Sequence, residues 1–310
     1  MKVFKSFNNI ENSLRNGVIA LGTFDGVHLG HQAVINAAIK HSQENACKVI
    51  VFSFSNHPLS FINPENTPGL LIDNTEKILL LEKLNVDALI NIKFDEKVIG
   101  IEPKDFIEQL VVSLNPQAIF VGDNFTYGKK GAGNTDTLKR DCMKRNIFID
   151  VLPMFSIDGI TVSSTVIRNF VKNADIESAN KFLGRKYSLR GKVTYGAQLG
   201  RKIGFPTANI ELKNTTLLVP PNGGYIAEVL CDGKLYPAVA NIGVNPTVAD
   251  SISKRLEVHI FDFNKDIYNQ EIVVYLHKYV SPEKKFPNLD ELIKHIENIS
   301  STVRKYFQKH

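Results

Sequence analysis

The chain has 310 residues, 43% of them hydrophobic and 22% charged, with a net charge of +5 at pH 7. This composition is typical of a globular protein with one or two domains. No run of about 18 apolar residues is present, and the first residues lack the apolar core of a signal peptide, so we expect no membrane partner.

The three cysteines, Cys47, Cys142 and Cys231, lie far apart, without a CxxC pair and without histidines at metal-ligand spacing. They indicate buried thiols in a reducing compartment, so we expect a cytoplasmic protein. The positive charge suits either nucleic acid or polyanionic nucleotides. We favour nucleotides, because many basic proteins bind no RNA.

The first half of the chain alternates apolar runs with amphipathic segments. We predict strands at 18–22, 48–54, 88–92 and 118–122, and helices at 31–42, 75–84 and 103–113. Strands interleaved with helices indicate a parallel sheet with right-handed crossovers. Ligands of such sheets bind beyond the carboxyl ends of the strands. Neither a dinucleotide fingerprint nor a P-loop is present.

The segment from Gly22 to His31 reads Gly-Thr-Phe-Asp-Gly-Val-His-Leu-Gly-His and directly follows the first predicted strand. A tight turn and a helix that opens at the histidines would aim both imidazoles and the helix N-terminus at one point. The glycines let the backbone approach an anion closely. A histidine pair at this spacing is more often a surface or core feature, but its strand–turn–helix context favours a triphosphate site.

Two other loops follow predicted strands. Residues 56–58, Asn-His-Pro, come after the second strand and are either a structural loop or a ligand contact. Residues 121–128 follow the fourth strand and include Asn124 and Thr126, whose side chains can hydrogen-bond a phosphate. The two lysines that come next fit either an anion contact or a solvated charge pair.

Ser163, Ser164 and Thr165 precede the helix-like run 166–171. Hydroxyl side chains at this place make a good N-cap, and most such residues do nothing more. Arg168 lies in the first turn, where a cation is unfavourable unless an anion lies nearby. The segment therefore indicates a phosphate contact in addition to a helix cap.

From about residue 191 the pattern changes to β-rich runs separated by Pro, Gly, Asn and Asp turns. We predict strands at 225–231, 236–242, 256–263 and 271–280, and a packing helix at 289–307. This pattern indicates a small antiparallel barrel or sandwich. The domain boundary would fall near residues 184–187.

Residues 200–209 read Gly-Arg-Lys-Ile-Gly-Phe-Pro-Thr-Ala-Asn. The glycines can present backbone N–H groups to an anion. Pro206 stiffens the chain, so that the Thr207 hydroxyl and the Asn209 amide oxygen are presented together. Oxygen ligands of this kind are those that Mg²⁺ prefers. The segment therefore predicts a metal and phosphate loop.

The predicted strand around residue 258 carries two polar side chains. Glu257 and His259 lie on the face opposite to Leu256, Val258 and Ile260, because side chains alternate along a strand. An acidic residue at such a place is usually only solvent-facing.

The histidine segment resembles the HxGH signature of the nucleotidylyltransferase superfamily. In its extended form it resembles the N-terminal module of the bacterial bifunctional riboflavin kinase/FAD synthetase family. The resemblance implies that His28 and His31 stabilise the α-phosphate of ATP without a covalent enzyme intermediate. The residues that it assigns to the shape of the loop are Gly22, Phe24, Asp25 and Gly30.

Two more segments of the first half fit that family. Residues 162–168 resemble its ISSTxIR motif, whose hydroxyls and arginine hold the phosphates of ATP. The matching residues are Ser163, Ser164, Thr165 and Arg168. Residues 121–128 resemble a glycine-flanked aromatic loop that commonly carries Asp and Arg where this chain has Asn124 and Thr126.

The second half is similar to riboflavin kinases. Residues 200–209 resemble the kinase signature, which implies that Thr207 and Asn209 are ligands of the metal and of phosphate. The loop residues carried over with them are Gly200, Arg201, Gly204 and Pro206. Glu257 matches the glutamate that serves the family as general base and would accept the proton of a ribityl hydroxyl.

The resemblance implies an α/β, Rossmann-like nucleotidylyltransferase domain at 1–184 with a parallel sheet. It also implies a small antiparallel β-barrel domain with a C-terminal helix at 185–310. The implied activities are phosphorylation of riboflavin to FMN and adenylylation of FMN to FAD, both with ATP and Mg²⁺. Riboflavin, FMN and ATP are then the partners, and nucleic acid is not expected.

Some positions depart from the family pattern. Besides Asn124 and Thr126, they include Asn269, where Gly is common, and Ser281, where Arg is common. These departures leave open that only one of the two activities is retained. A flavin-sensing regulator that binds RNA, and another phosphorylated vitamin as acceptor, are the remaining alternatives.

Overall fold

A computed structural model describes residues 1–196, 200, 204–212, 216–244, 254–284 and 287–309. The chain divides into two compact units, Met1–Val166 and Ile167–His310. In the described residues, no helix has both the length and the apolar character needed to cross a membrane.

The first unit contains a parallel sheet surrounded by helices. Its strands are β1 (Lys2–Phe4), β2 (Val18–Leu21), β3 (Val49–Phe54), β4 (Ala88–Ile92), β5 (Ala118–Gly122), β6 (Thr126–Tyr127), β7 (Gly133–Asn134), β8 (Phe148–Leu152), β9 (Ser156–Ile157) and β10 (Ile160–Thr161). Its helices are α1 (Leu29–Glu44), α2 (Leu59–Ile62), α3 (Asn74–Lys83), α4 (Glu96–Ile99), α5 (Pro103–Leu114) and α6 (Thr135–Lys144). The main sheet has the order β1-β4-β3-β2-β5-β8, and every neighbouring pair in it is parallel.

Both faces of this sheet are covered, which is why its strands are apolar along their whole length. Ile19 and Leu21 of β2 belong to the core on one face, which includes residues of α5. Val18 and Ala20 of the same strand belong to the core on the other face, which includes residues of α1.

Strand β2 lies between β3 and β5, and the chain winds away from it in both directions. Such a reversal opens a crevice beyond the carboxyl ends of the central strands, where α/β sheets bind their ligands. The residues that follow β2 are therefore at the favoured place for a site.

The second unit is built around a barrel. Its elements are α7 (Ser164–Lys172), which crosses the division between the units, α8 (Ile176–Leu183), β11 (Tyr187–Thr194), β12 (Ala208–Leu212), β13 (Gly223–Cys231), β14 (Lys234–Val244), β15 (Lys254–Ile260), β16 (Glu271–Ser281) and α9 (Leu289–Lys309). The six strands close in the order β11-β12-β15-β14-β13-β16, with antiparallel pairing throughout. The predicted α/β domain followed by an antiparallel barrel and a final helix is confirmed, and the second half is a barrel rather than a sandwich.

Helix α9 packs on the barrel, as its apolar spacing predicts. Val303 is fully buried and belongs to a cluster with Ile226 and Phe261. Helix α8 also contacts the barrel strands: the Asn180 side chain donates to Leu276 O at 2.9 Å and accepts the Tyr187 N–H. By these contacts α8 groups with the barrel, whereas the boundary predicted at 184/185 assigns it to the first domain.

Candidate active sites

The first candidate site is the histidine loop, residues 22–28, together with the first turn of α1. His28 is the N-cap of α1, and its Nδ1 accepts the N–H of His31 at 3.2 Å. The two imidazole rings stack with their centroids 3.5 Å apart. His28 is only 4% exposed. The predicted histidine pair therefore opens a helix, and both rings lie at its N-terminus, where the helix dipole favours an anion.

The backbone of the histidine loop has an unusual conformation. Phe24, Gly26 and Val27 have φ angles of 47°, 88° and 38°, all in the left-handed region. This region is costly for a branched side chain such as Val27. A loop of this kind persists only where its surroundings hold it in place.

Polar contacts from outside this loop hold it at Asp25 and Val27. The Asp25 carboxylate accepts the Leu71 N–H at 2.9 Å, and the Asp25 carbonyl accepts the Ser164 hydroxyl at 2.9 Å. The Gln32 side-chain amide donates to the Val27 carbonyl at 2.9 Å. Ser164 is thus joined directly to the loop that precedes the histidines.

Two glycines allow the rings to pack closely. A Cβ on Gly22 would lie 2.9 Å from the Phe24 ring, and a Cβ on Gly30 would lie 3.3 Å from the His28 ring. The Phe24 ring in turn meets His31 edge-on, with centroids 5.2 Å apart. These contacts bring all the predicted loop residues together.

The segment before α7 caps its helix as expected. The Ser163 hydroxyl accepts the Val166 N–H at 3.3 Å. Thr165 is exposed, whereas Arg168, one turn beyond Ser164 in the same helix, is only 6% exposed. A buried guanidinium in the first turns of a helix remains unusual, so the phosphate role stays a prediction.

The loop after β5 contains the departures from the family pattern. The side chains of Asn124 and Thr126 are exposed. Lys129, which could have contributed a cation here, pairs with Glu102 at 3.0 Å. The role of Asn124 in ligand binding therefore stays a prediction.

A buried lysine lies next to the histidine loop, and the sequence analysis missed it. Lys77 of α3 is 5% exposed, and its Nζ donates to the Phe54 carbonyl at 2.8 Å, the Ser53 hydroxyl at 3.0 Å and the Thr23 carbonyl at 3.3 Å. Burial lowers the pKa of this ammonium to about 8, and the charge of Asp25 opposes that shift. The available signal was its helical spacing: Lys77 shares a face with buried Leu81.

The second candidate site lies on the outer face of the barrel. Glu257 of β15 is paired in register with Asn209 of β12 on one side and with Asn241 of β14 on the other. Burial alternates along β15, so that Leu256 and Val258 face the interior while Glu257 does not. The Arg255 guanidinium lies 3.5 Å from the Glu257 carboxylate. The predicted base and one predicted metal ligand are therefore direct neighbours.

The glycine loop lies beside this row of three residues. The His259 Nδ1 donates to the Pro206 carbonyl at 2.8 Å, because a carbonyl oxygen can only accept. The Phe205 N–H donates to the Gly200 carbonyl at 2.9 Å. The sequence placed His259 on the same face as Glu257 but gave it no role, and the structure shows that it fixes the loop. Gly204 and Thr207 are exposed, and Arg201 lies outside the described residues.

The oxygen atoms near this loop suit a divalent cation. A Cβ on Gly196 would lie 2.2 Å from the Asn209 side-chain nitrogen, and a Cβ on Gly200 would lie 3.4 Å from the Thr207 hydroxyl. Glycines thus line a cradle that contains the two predicted ligands. In the part of the chain that the structure describes, no group of three or more His, Cys, Asp or Glu residues could hold a metal. A cation here would therefore depend on hydroxyl, amide and phosphate oxygens, which are hard ligands of the kind that Mg²⁺ accepts.

Asn269, which stands where family members commonly have Gly, adopts a backbone conformation that Gly favours. Asn269 has a φ of 63° and donates its N–H to the Val193 carbonyl at 2.9 Å. After glycine, asparagine is the residue that most readily adopts this left-handed region. It can therefore make the turn for which family members commonly use glycine.

The first unit has a histidine pair at a helix N-terminus beyond a parallel sheet. The second unit has a carboxylate beside a glycine loop on a barrel. Together they define an enzyme with two nucleotide-handling sites. Comparison with protein families agrees with this class. The model of FAD synthetase matches residues 10–166, and the model of riboflavin kinase matches residues 183–307. The chain belongs to the bifunctional riboflavin kinase/FMN adenylyltransferase family.

Relatives of that name align with nearly the whole chain. The one from Bacillus subtilis is 36% identical over 301 residues, covering 96% of this chain and 95% of its own. The one from Escherichia coli strain K12 is 34% identical over 310 residues, covering 99% and 98%. A solved structure described as a macrolide-efflux protein from Streptococcus pneumoniae is 27% identical, with a TM-score of 0.89 over 97% of this chain and 98% of its own. Its description names another role, but its architecture is shared.

Proposed function

We propose that this chain makes FAD from riboflavin in two steps. One ATP phosphorylates riboflavin to FMN in the barrel domain (185–310), and a second ATP adenylylates FMN in the α/β domain (1–184). The observation that carries the proposal is that each half of the chain contains its own complete reactive group. These groups are the stacked histidine pair at the start of α1 and the carboxylate that lies between two asparagines on the barrel.

In the adenylyl transfer, a phosphate oxygen of FMN attacks the α-phosphorus of ATP. The new bond joins the two phosphates, and the bond from the α-phosphorus to the bridging oxygen breaks to release pyrophosphate. His28, His31 and the N-terminus of α1 stabilise the charge that develops on the α-phosphate. Arg168 would hold the leaving phosphates, while Ser164 supports the histidine loop through its hydrogen bond to the Asp25 carbonyl. The histidine loop contributes by positioning, so no covalent enzyme intermediate is needed.

In the kinase reaction, Glu257 accepts the proton of the ribityl hydroxyl as its oxygen attacks the γ-phosphorus of ATP. The bond from the γ-phosphorus to the β–γ bridging oxygen breaks, and ADP leaves. Thr207 and Asn209 would hold Mg²⁺, which when bound neutralises phosphate charge. The phosphate contacts proposed for this loop are Gly200, Arg201, Gly204 and Pro206. His259 keeps this loop against the barrel through its bond to Pro206.

Riboflavin, FMN and ATP are the proposed partners, and the reducing cytoplasm is the proposed location. The alternative of a flavin-sensing regulator that binds RNA finds less support, because a binding protein needs neither a proton acceptor nor a charge-stabilising histidine pair. The shared family, with both domain models matched, supports retention of both activities.

A chromatographic time course with purified protein and MgATP tests the proposal. Reactions are started once from riboflavin and once from FMN. We expect FMN followed by FAD from riboflavin, and FAD directly from FMN. FAD from supplied FMN alone would mean that the kinase is inactive, and FMN that accumulates without FAD would mean that the adenylyltransferase is inactive. No product from either start would overturn the proposal.

A further inference from the structure

The buried lysine of α3 has no role in the two reactions as described above. It is charged at neutral pH, yet it lies among residues at the ends of two central strands. Its three N–H groups have three oxygen acceptors: the carbonyls of Thr23 and Phe54 and the hydroxyl of Ser53. The Ser53 hydroxyl itself donates to the Thr23 carbonyl at 2.7 Å. Lys77 and Ser53 therefore form one network that ends on the first residue after Gly22.

This network connects the histidine loop to strand β3. The Leu71 N–H, the Ser164 hydroxyl and the Gln32 amide, which also contact the loop, are neutral donors, whereas the Lys77 ammonium is charged. The left-handed residues of the loop lie directly between Thr23 and His28. Release of Thr23 would let this strained segment relax and move the histidine rings.

We propose that Lys77 is a positioning residue for adenylyl transfer, whose ammonium ties the carbonyls that follow β2 and β3 and so fixes the loop that carries His28. The inference rests on the proposed function of the first domain. It adds a residue that acts through the loop and does not itself touch the reacting phosphates.

The charge state of Lys77 decides how many acceptors it can satisfy. An ammonium has three N–H groups for its three acceptors, whereas the neutral amine has two and a lone pair that repels a carbonyl oxygen. The Thr23 carbonyl is the most distant acceptor, at 3.3 Å, so its hydrogen bond from Lys77 is the first to be lost, which leaves the Ser53 hydroxyl as its described side-chain donor. Since burial lowers the pKa of Lys77 to about 8, this loss falls within a range that assays can reach.

The energetics favour a functional reason for the charge. The ordinary pKa of a lysine is 10.5, and the folded-state value of about 8 lies below it. The unfolded chain therefore binds this proton more tightly, and the charge costs stability below about pH 8. That cost disappears as pH rises from the folded-state pKa to the unfolded one. A side chain kept only for stability would gain nothing from being charged here.

Lys77 lines a pocket that two other titratable groups also line, and these groups belong in any pH argument. Asp25 faces it from the histidine loop and His57 from the segment after β3, while the remaining lining residues from β3, α3 and the segment before α3 are neutral. His57 Nδ1 accepts the Leu59 N–H at 3.1 Å.

The test measures FAD formation from FMN and MgATP as a function of pH, with FMN formation from riboflavin in the same samples as the internal control. Lys77→Met, which keeps the length of the side chain without its charge, is expected to lower kcat for FAD formation about a hundredfold with little change in KM. Lys83→Met is the matched control, because Lys83 is an exposed residue of the same helix. FMN formation should be unchanged in both variants.

Two further variants separate positioning from a purely structural role. Lys77→Arg stays charged at all assay pH values. The alkaline limb, which is the fall in the rate of FAD formation at high pH, should therefore move to a pH more than about one unit higher. Ser53→Ala removes one acceptor of the ammonium and should move the same limb down, because a hydrogen bond to the charged form is lost. Ser53→Ala also decides the matter if Lys77→Met fails to fold.

The outcomes are distinct. The inference would be overturned if Lys77→Met formed FAD at the wild-type rate. It would also be overturned if the alkaline fall in FAD formation came at the wild-type pH in both Lys77→Arg and Ser53→Ala. In either case, FAD formation by the wild type would still uphold the proposed function. A wild-type chain that forms no FAD would overturn the proposed function and this inference with it.

Discussion

Asn209 of β12 and Glu257 of β15 are direct cross-strand partners on the outer face of the barrel. Side chains at such positions point to the same side, with Cβ atoms about 5 Å apart. The amide oxygen proposed to bind the metal and the carboxylate proposed to take the proton are thus adjacent. An attacking hydroxyl and a metal-bound phosphate can therefore be held next to each other by two neighbouring strands.

The first prediction concerns Glu257. Glu257→Gln keeps the shape of the side chain but removes its capacity to accept a proton, so FMN formation should fall about a hundredfold or more. FAD formation from supplied FMN should not change. Glu211→Gln, the same substitution at an exposed position of β12, is the control. Steady-state rates for both half-reactions check this, and a kinase rate equal to that of the control would rule out Glu257 as the base.

The second prediction concerns His28, which is both N-cap and proposed catalyst. His28→Asn restores a capping oxygen, whereas His28→Ala removes the cap at a cost of about 1 kcal/mol. Both variants should lose FAD formation and keep FMN formation. Only His28→Ala should unfold measurably earlier in urea. If His28→Asn formed FAD at the wild-type rate, His28 would be a cap and no more.

The third prediction tests the cradle around Asn209. Gly196→Ala places a Cβ 2.2 Å from the Asn209 side-chain nitrogen, so this amide must shift. We expect the KM for MgATP in the kinase reaction to rise about tenfold, while FAD formation from FMN stays constant. Gly100→Ala, where an added Cβ finds its nearest atom 3.9 Å away, is the matched control. Equal kinase constants in the two variants would contradict the placement of Asn209 in the site.

The fourth prediction concerns the thiols. Burial raises the pKa of Cys142 to about 11, with the charge of Asp141 adding to the shift and Arg145 opposing it. At pH 8 roughly one such thiol in a thousand is ionised. Half-buried Cys47 should therefore react with iodoacetamide far faster than Cys142 in the native protein. Mass spectrometry of the peptides measures both rates, with protein in guanidinium as the fully reactive reference. Rapid labelling of Cys142 in native protein would contradict its burial.

The sequence predicts strands best where an apolar run has clear ends. Strands β4 and β5 have the predicted bounds, and β2 and β3 differ by one residue at one end. Strands β1 and β8 were not predicted, because the first has three residues and the second contains Asp150. Both lie at the edges of the sheet, where one side has no neighbouring strand to demand an apolar sequence.

Site residues are predictable when they are contiguous. The histidine loop could be read from one segment, because its chemistry depends on a turn and the first residues of a helix. The row of Asn209, Glu257 and Asn241 could not, because it depends on the register of three strands that are distant in sequence. Lys77 could not be assigned either, since a lysine on a helix is usually exposed and only the fold shows what its ammonium meets.

The closed barrel has a consequence for mutational tolerance. Leu256 and Val258 point inward on either side of Glu257, so one extra residue in β15 would turn the carboxylate into the apolar interior. In an open sheet an edge strand could slide to absorb such an insertion, but here every strand is paired on both sides. The kinase half should therefore tolerate almost no insertion or deletion along β12, β14 and β15. In a library of single-residue insertions, loss of kinase activity should therefore coincide with these strands more closely than in a library of substitutions.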